Sequence, residues 1–186
     1  MKNIIINATA LDSSGALSIL KQFIEAIFED KYEYVVFVNV ESNLQLTQTN
    51  IKVIKKNVKT LIKRCLWDAF GINNWLRTNN INPIATISLQ NTNFRTNKSI
   101  PNFIYYHQSI PFFDAKWNPL RSSERELWFY KNIYPFFVKL FINKNTEIFV
   151  QTNFIKDGFA KYFDFPKEKI HIITPNIKLP TLQAAD

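Results

Sequence analysis

The feature that most restricts the fold of this chain is a repeated pairing of two patterns. A short, almost uninterrupted apolar run is followed by a longer stretch whose apolar residues recur at helical spacing. "NIIINAT" (3–9) is the first such run, and "ALSILKQFIEAIFED" follows with Leu17, Leu20, Ile24, Ile27 and Phe28 on one helical face. "YEYVVFVNV" (32–40) and "IKVIKK" (51–56) read as the next two strands. Residues 59–80 read as helical, with Gly71 placed to break them. "IATISL" (84–89) and "NFIYYHQ" (102–108) are again strands. A long aromatic helix is expected over 120–142, with Pro135 placed to kink it. "TEIFVQT" (146–152), the helix "NFIKDGFAKYF" and the strand "KIHIITP" (169–175) complete the series.

Strands that are apolar throughout, rather than on alternate residues, are buried on both faces. Intervening helices supply the cover, so the strands run parallel. The expected fold is therefore α/β: a Rossmann-like three-layer α/β/α sandwich around a mostly parallel sheet of about seven strands. A chain of 186 residues, 46% hydrophobic, has room for one such domain and not for two. The domain is expected over 1–177, with 178–186 as a linker.

Composition removes several classes of function. Cys65 is the single cysteine, so no intramolecular disulfide and no cysteine-based metal site can form. Its helical surroundings, "LIKRCLWDAF", read as those of a buried, inert thiol. The N-terminal apolar run is broken by Asn7 and Asp12, unlike a signal peptide, and no run approaches about 18 apolar residues. A cytoplasmic location is expected. The net charge of +8 favours anionic partners. The cations are dispersed except in "IKVIKKNVKTLIKR" (51–64), which reads as a solvated basic face, and no nucleic-acid motif accompanies them.

Parallel sheets bind ligands at the carboxyl ends of their strands, so the residues just past each run carry the most information. After the first strand, "NATALDSSGALSILKQF" opens a helix that Ser13 or Ser14 can cap. Its free amides would attract an anion, and Gly15 has no Cβ to obstruct one. A capped tight turn explains the same residues, and the dinucleotide glycine pattern is absent. After "IATISL" come Gln90, Asn91, Thr92 and Asn93, neutral groups suited to hydroxyls and equally ordinary in loops.

In "FIYYHQSIPFF", His107 ends a strand, and the residues leave three roles open: general base, donor to a sugar hydroxyl, or satisfied core group. Phe112 and Phe113 are packing aromatics or the lining of an acceptor site. "WNPLRSSERELWFYKNIYPFFVKLFI" (117–142) is either a core helix or a surface that meets lipid. His171, inside the last strand, is expected to pack and bond locally.

In their order and spacing, "GALSILKQF", "SLQN", "YYHQSIPF" and "VQTNFIKDGFAKYF…KIHIITPN" resemble the N-terminal domain of a retaining glycosyltransferase of family 4, the "group 1" enzymes of two Rossmann-like domains. The resemblance covers nearly the whole chain. It implies transfer of a sugar from a nucleoside diphosphate sugar to a saccharide or lipid-linked acceptor, with retained anomeric configuration, in cell-surface polysaccharide synthesis. A C-terminal domain beyond this chain would hold most of the donor. No metal or other cofactor and no nucleic acid are implied; peripheral contact with the inner membrane face is.

Carried over by resemblance, His107 is the catalytic candidate, near the reacting centre. Ser14 and Gly15 approach the donor diphosphate. Gln90, Asn91, Gln108 and Phe112 flank the acceptor. The chain departs from the family's two-glycine turn at Ser14–Gly15 and from its Pro-Asn-Gly hinge at Pro175, Asn176 and Ile177. The competing readings are a non-catalytic Rossmann-like module that binds a phosphorylated ligand or a partner protein, a sugar epimerase domain, and a basic nucleic-acid-binding domain.

Overall fold

The β-branched runs form a single seven-stranded sheet in the order β3-β2-β1-β4-β5-β6-β7, with every neighbouring pair parallel. The computed structural model describes residues 2–11, 14–40 and 48–173. The strands are β1 (Lys2–Ala8), β2 (Tyr32–Asn39), β3 (Ile51–Lys56), β4 (Pro83–Ser88), β5 (Asn102–Tyr106), β6 (Thr146–Val150) and β7 (Ile170–Ile172). The helices are α1 (Ser14–Glu25), α2 (Leu61–Leu66), α3 (Ile72–Thr78), α4 (Arg125–Asn132), α5 (Tyr134–Lys139) and α6 (Asn153–Phe163). The expected Rossmann-like α/β architecture is the one observed.

The alternation of side chains along each strand divides the core between the two faces. Ile6, Ala8, Val36 and Val38 meet Leu20 and Ile24 of α1 on one face. Ile5, Val35 and Phe37 meet Ile72 and Leu76 of α3 on the other. Farther along that second face, Ile104, Tyr106, Ile148 and Val150 pack under Val138 of α5 and Phe159 of α6. Cover is therefore uneven. Among the described residues α1 alone lies on the first face. Beside it runs an apolar groove floored by Ile87, Phe103, Tyr105 and Phe149. The connection from β4 to β5 (89–101) carries no helix that would fill this space. Buried amides hold that connection instead. Asn93 Nδ2 donates to Asn102 Oδ1 (2.8 Å) and to the Phe141 carbonyl (3.0 Å), and Thr146 Oγ1 donates to Asn102 Oδ1 (2.6 Å).

Two helical expectations need correction. Gly71 does not break residues 59–80; α2 and α3 are joined through one π-helical turn, Trp67–Gly71. The glycine is needed for packing, because a Cβ there would lie 2.1 Å from Trp67 Cε3. Residues 120–142 do not form one helix. Pro135 sits in the first turn of α5, where its missing N–H is tolerated, and α4 ends before it at Asn132. Upstream, residues 118–124 fold into turns in which Glu124 Oε2 accepts the Asn118 N–H (2.7 Å).

Two smaller details follow. His171 packs and bonds locally, its ring 5.1 Å from that of Phe149 and its Nε2 2.7 Å from Glu147 Oε2, although the residue is exposed. Cys65 is only partly buried; that burial still pushes its thiol pKa up, which keeps it protonated and unreactive. Ser13, the hinge at 175–177 and the linker at 178–186 lie outside the described residues.

Candidate functional site

The strand order reverses direction between β1 and β4, because β1 leads to β2 on one side and β4 leads to β5 on the other. Loops leaving the carboxyl ends of such strands diverge and leave a crevice. Here it is a cleft of about 350 Å³. Ala10 and Leu11 follow β1, Gln90 and Asn91 follow β4, and His107 and Gln108 follow β5; all of them line it. Arg64, Cys65 and Asp68 close one wall from α2 and the π turn, while Tyr130, Tyr134 and Phe137 close the other from α4 and α5.

His107 and Asn91 form one unit. The backbone N–H of His107 donates to Asn91 Oδ1 at 2.7 Å, which orients that amide, since an N–H can only donate. Asn91 Nδ2 therefore faces His107 Nε2, 3.3 Å away. The ring must accept there, so the neutral imidazole carries its proton on Nδ1. Nδ1 is buried and has no hydrogen-bond partner among the described residues. Burial also holds the His107 pKa below its ordinary 6.5, so the ring is neutral at pH 7. Asn91 reaches this position with φ of 66°, in the left-handed region that asparagine tolerates better than most residues.

The structure adds a carboxylate that sequence reasoning missed. Asp68 is 7% exposed. It accepts from Asn7 Nδ2 at 2.7 Å and from Gln90 Nε2 at 3.1 Å. Burial raises its pKa from 3.8 to about 7, against the lowering effect of these bonds and of the Arg64 charge. A signal for it did exist in the sequence. Asp68 stands four residues before Ile72 and eight before Leu76, on the stripe that becomes the buried face of the helix.

The other predicted residues divide into two groups. Gln90 is committed inward. Its Oε1 accepts from the Ala10 N–H (3.0 Å) and from Thr9 Oγ1 (3.2 Å), while its Nε2 serves Asp68, so it ties the loop after β1 to the carboxylate. Phe112 packs against Tyr106, Tyr162 and Phe163, and the site of a Cβ on Gly158 lies 2.5 Å from its Cγ, so its ring belongs to the α6 interface. Gln108 lines the cleft, though its Oε1 accepts the Ile110 N–H at 3.2 Å. Gly15 lies in the first turn of α1, exposed, with no atom within 4 Å of where a Cβ would be. Ser14 precedes it in the helix. Ala16, one residue on, lines the cleft.

The assembled groups are a neutral imidazole, one amide that orients it, a buried carboxylate and a wall of aromatic rings. Such a set suits a ligand with several hydroxyls and an apolar ring face. Among the described residues no three His, Cys, Asp or Glu side chains come together in a way that could hold a metal ion.

No protein-family profile matches the chain, and neither does any curated protein sequence. Solved structures do. The "lipopolysaccharide outer core galactosyltransferase WaaB apo form" matches 97% of this chain and 47% of its own, at 12% identity and a TM-score of 0.49. Phytolacca americana UGT2, solved with UDP-2fluoro-glucose and pterostilbene, matches 96% of this chain and 54% of its own, at 11% identity and a TM-score of 0.51. The chain thus spans about half the length of these proteins. At such identity the likeness is one of fold: this sheet and its helices share the architecture of about half of the UGT2 chain.

Proposed function

We propose that this chain is the N-terminal, acceptor-side half of a retaining family 4 glycosyltransferase. It would act in moving a hexose from a nucleoside diphosphate sugar to a hydroxyl of a saccharide or lipid-linked acceptor, in cell-surface polysaccharide synthesis at the inner face of the membrane. The observation that carries the reading is the His107–Asn91 unit at the end of β5, inside the cleft at the β1/β4 switch point. His107, which lines the cleft, would contact the donor sugar close to the reacting carbon. The amides of the first turn of α1, at Ser14 and Gly15, would stabilise the leaving diphosphate as its charge develops. Asn91 and Gln108 would flank the acceptor, with Gln90 bracing Asp68 behind them. A second domain would bring most of the donor contacts, so the 186 residues alone should not turn over. No metal is needed in this scheme.

The test uses the chain with ¹⁵N-labelled histidines. Nucleoside diphosphate sugars and a panel of mono- and disaccharides are titrated at high concentration. His107 ring signals should move with at least one of them, those of His171 should not, and the response should vanish in His107→Ala. Ligands that leave the His107 signals unchanged across the whole panel would overturn the assignment of the cleft.

A further inference from the structure

Among the described residues that line the cleft, Asp68 is the one acid. Asn7 Nδ2 and Gln90 Nε2 both reach its Oδ1, at 2.7 and 3.3 Å, so a single neutral oxygen would serve them. The second oxygen, Oδ2, takes the same Gln90 amide at 3.1 Å, and the Thr92 hydroxyl also bonds the carboxylate. These three donors face about four lone-pair positions, so one position is left. Burying a full charge is costly, and ionisable groups kept at such cost in a cleft are commonly functional. The backbone gives a second reason. Asp68 stands in the π turn, where the Ile72 N–H reaches back five residues to the Trp67 carbonyl. Turns of this width are rare and gather at functional sites. Arg64 and Asp68 line the cleft, while Ile72 and Leu76 beyond the turn lie in the core. The Arg95 N–H donates to the Asp68 carbonyl at 2.8 Å, which ties the turn to the connection after β4.

We infer that Asp68 is an acceptor-binding residue, whose carboxylate accepts a hydroxyl of the acceptor saccharide at the lone pair that its protein donors leave open. This deepens the transferase reading of the cleft and rests on it. Asn7 from β1 and Gln90 from the loop after β4 fix the carboxylate before any ligand arrives, so binding costs it no reorganisation. An acid group at that point of the acceptor would meet a second carboxylate. The acceptor class is therefore a saccharide with a neutral, unsubstituted hydroxyl there. Ionised, Asp68 offers all its lone pairs; protonated, it loses one to its own hydrogen. Its pKa of about 7 makes the contact stronger above neutral pH than below it. The other groups that act on it do not imitate this change. Burial raises the Cys65 thiol and the Tyr134 hydroxyl, and the Arg64 guanidinium acts on Asp68 as a fixed positive charge. His107, elsewhere in the cleft, is held below its ordinary 6.5.

The experiment measures the affinity of the 186-residue chain for the same mono- and disaccharides at pH 6 and pH 8, in wild type and Asp68→Asn. Wild type should bind about ten-fold more weakly at pH 6 than at pH 8, as a carboxylate of pKa about 7 requires. Asp68→Asn should bind weakly at both pH values. Deoxy analogues of the best saccharide, each lacking one hydroxyl, separate contact from support. One of them should lose about ten-fold in affinity for wild type at pH 8, the worth of a hydrogen bond to a charged group, and lose nothing for Asp68→Asn. A side chain that only braced Gln90 would weaken every analogue alike. The ¹³Cγ signal of Asp68 should also move toward its ionised value when saccharide is added at pH 7. That signal and the wild-type pH dependence need no variant, so the test survives a variant that does not fold. Equal affinity at pH 6 and pH 8, or a deoxy series that loses alike in wild type and variant, would overturn the inference while the His107 response keeps the transferase reading. A panel that moves neither the His107 nor the Asp68 signals would overturn both.

Discussion

Replacing Asp68 by asparagine tests the buried carboxylate that links Gln90, Asn7 and the cleft. In the folded chain its pKa is about 7, against 3.8 for an ordinary carboxyl. An acid with a raised folded pKa binds its proton more tightly when folded, so protonation stabilises the native state. That contribution is fully present below about pH 4, declines as pH rises, and is gone once pH passes about 7. At 1.36 kcal/mol per unit, the part of this window between pH 5 and pH 7 corresponds to roughly 2 kcal/mol.

For a chain of this size that is a change of about 4–8 °C in Tm. The amide that replaces the carboxyl in Asp68→Asn cannot titrate. Thermal unfolding of wild type and variant at both pH values therefore gives a difference of differences, in which the exposed carboxylates cancel. Wild type should gain about 4–8 °C on the variant in going from pH 7 to pH 5. An unchanged gap would refute the reasoning: it would mean that Asp68 ionises at or below the ordinary carboxyl pKa, its hydrogen bonds offsetting or outweighing its burial.

Asn91→Asp should raise the His107 pKa, because a carboxylate now faces Nε2, and should move the neutral ring's proton from Nδ1 to Nε2; imidazole ¹⁵N shifts report both, and an unchanged tautomer would show that Asn91 does not orient the ring. Gly158→Ala places a Cβ 2.5 Å from Phe112 Cγ within an aromatic cluster and should cost about 1–3 kcal/mol, read as a fall in the urea midpoint. Gly15→Ala meets open space in the first turn of α1, so stability should hold or rise by up to about 1 kcal/mol, and any loss of nucleotide-sugar binding would report contact at that turn.

Much of the architecture is written locally. Runs such as "YEYVVFVNV" are apolar on both faces, and that pattern is stable only as a covered parallel strand. The position of His107 at a strand end was legible for the same reason. Where single residues govern the backbone, the reading was weaker. Gly71 signals a break by propensity, yet the chain stays helical because the Trp67 ring fills the space that the missing Cβ leaves. Pro135 signals a kink, yet it starts a new helix.

Tertiary structure alone decided which polar groups are occupied and which are available. Gln90 and Asn91 are adjacent and chemically alike. One turns inward to Ala10 and Asp68, and the other, with its backbone in the left-handed region, turns toward His107. The same is true of the helix 61–70: its composition is plain in the sequence, but which of its apolar residues face the core follows from where Ile72 and Leu76 dock. Hydrophobic periodicity is a local property and survives in one dimension. Hydrogen-bond partnership and burial depend on residues far apart in the chain, such as Asn7, Asp68 and Gln90, and exist only once the sheet has brought them together.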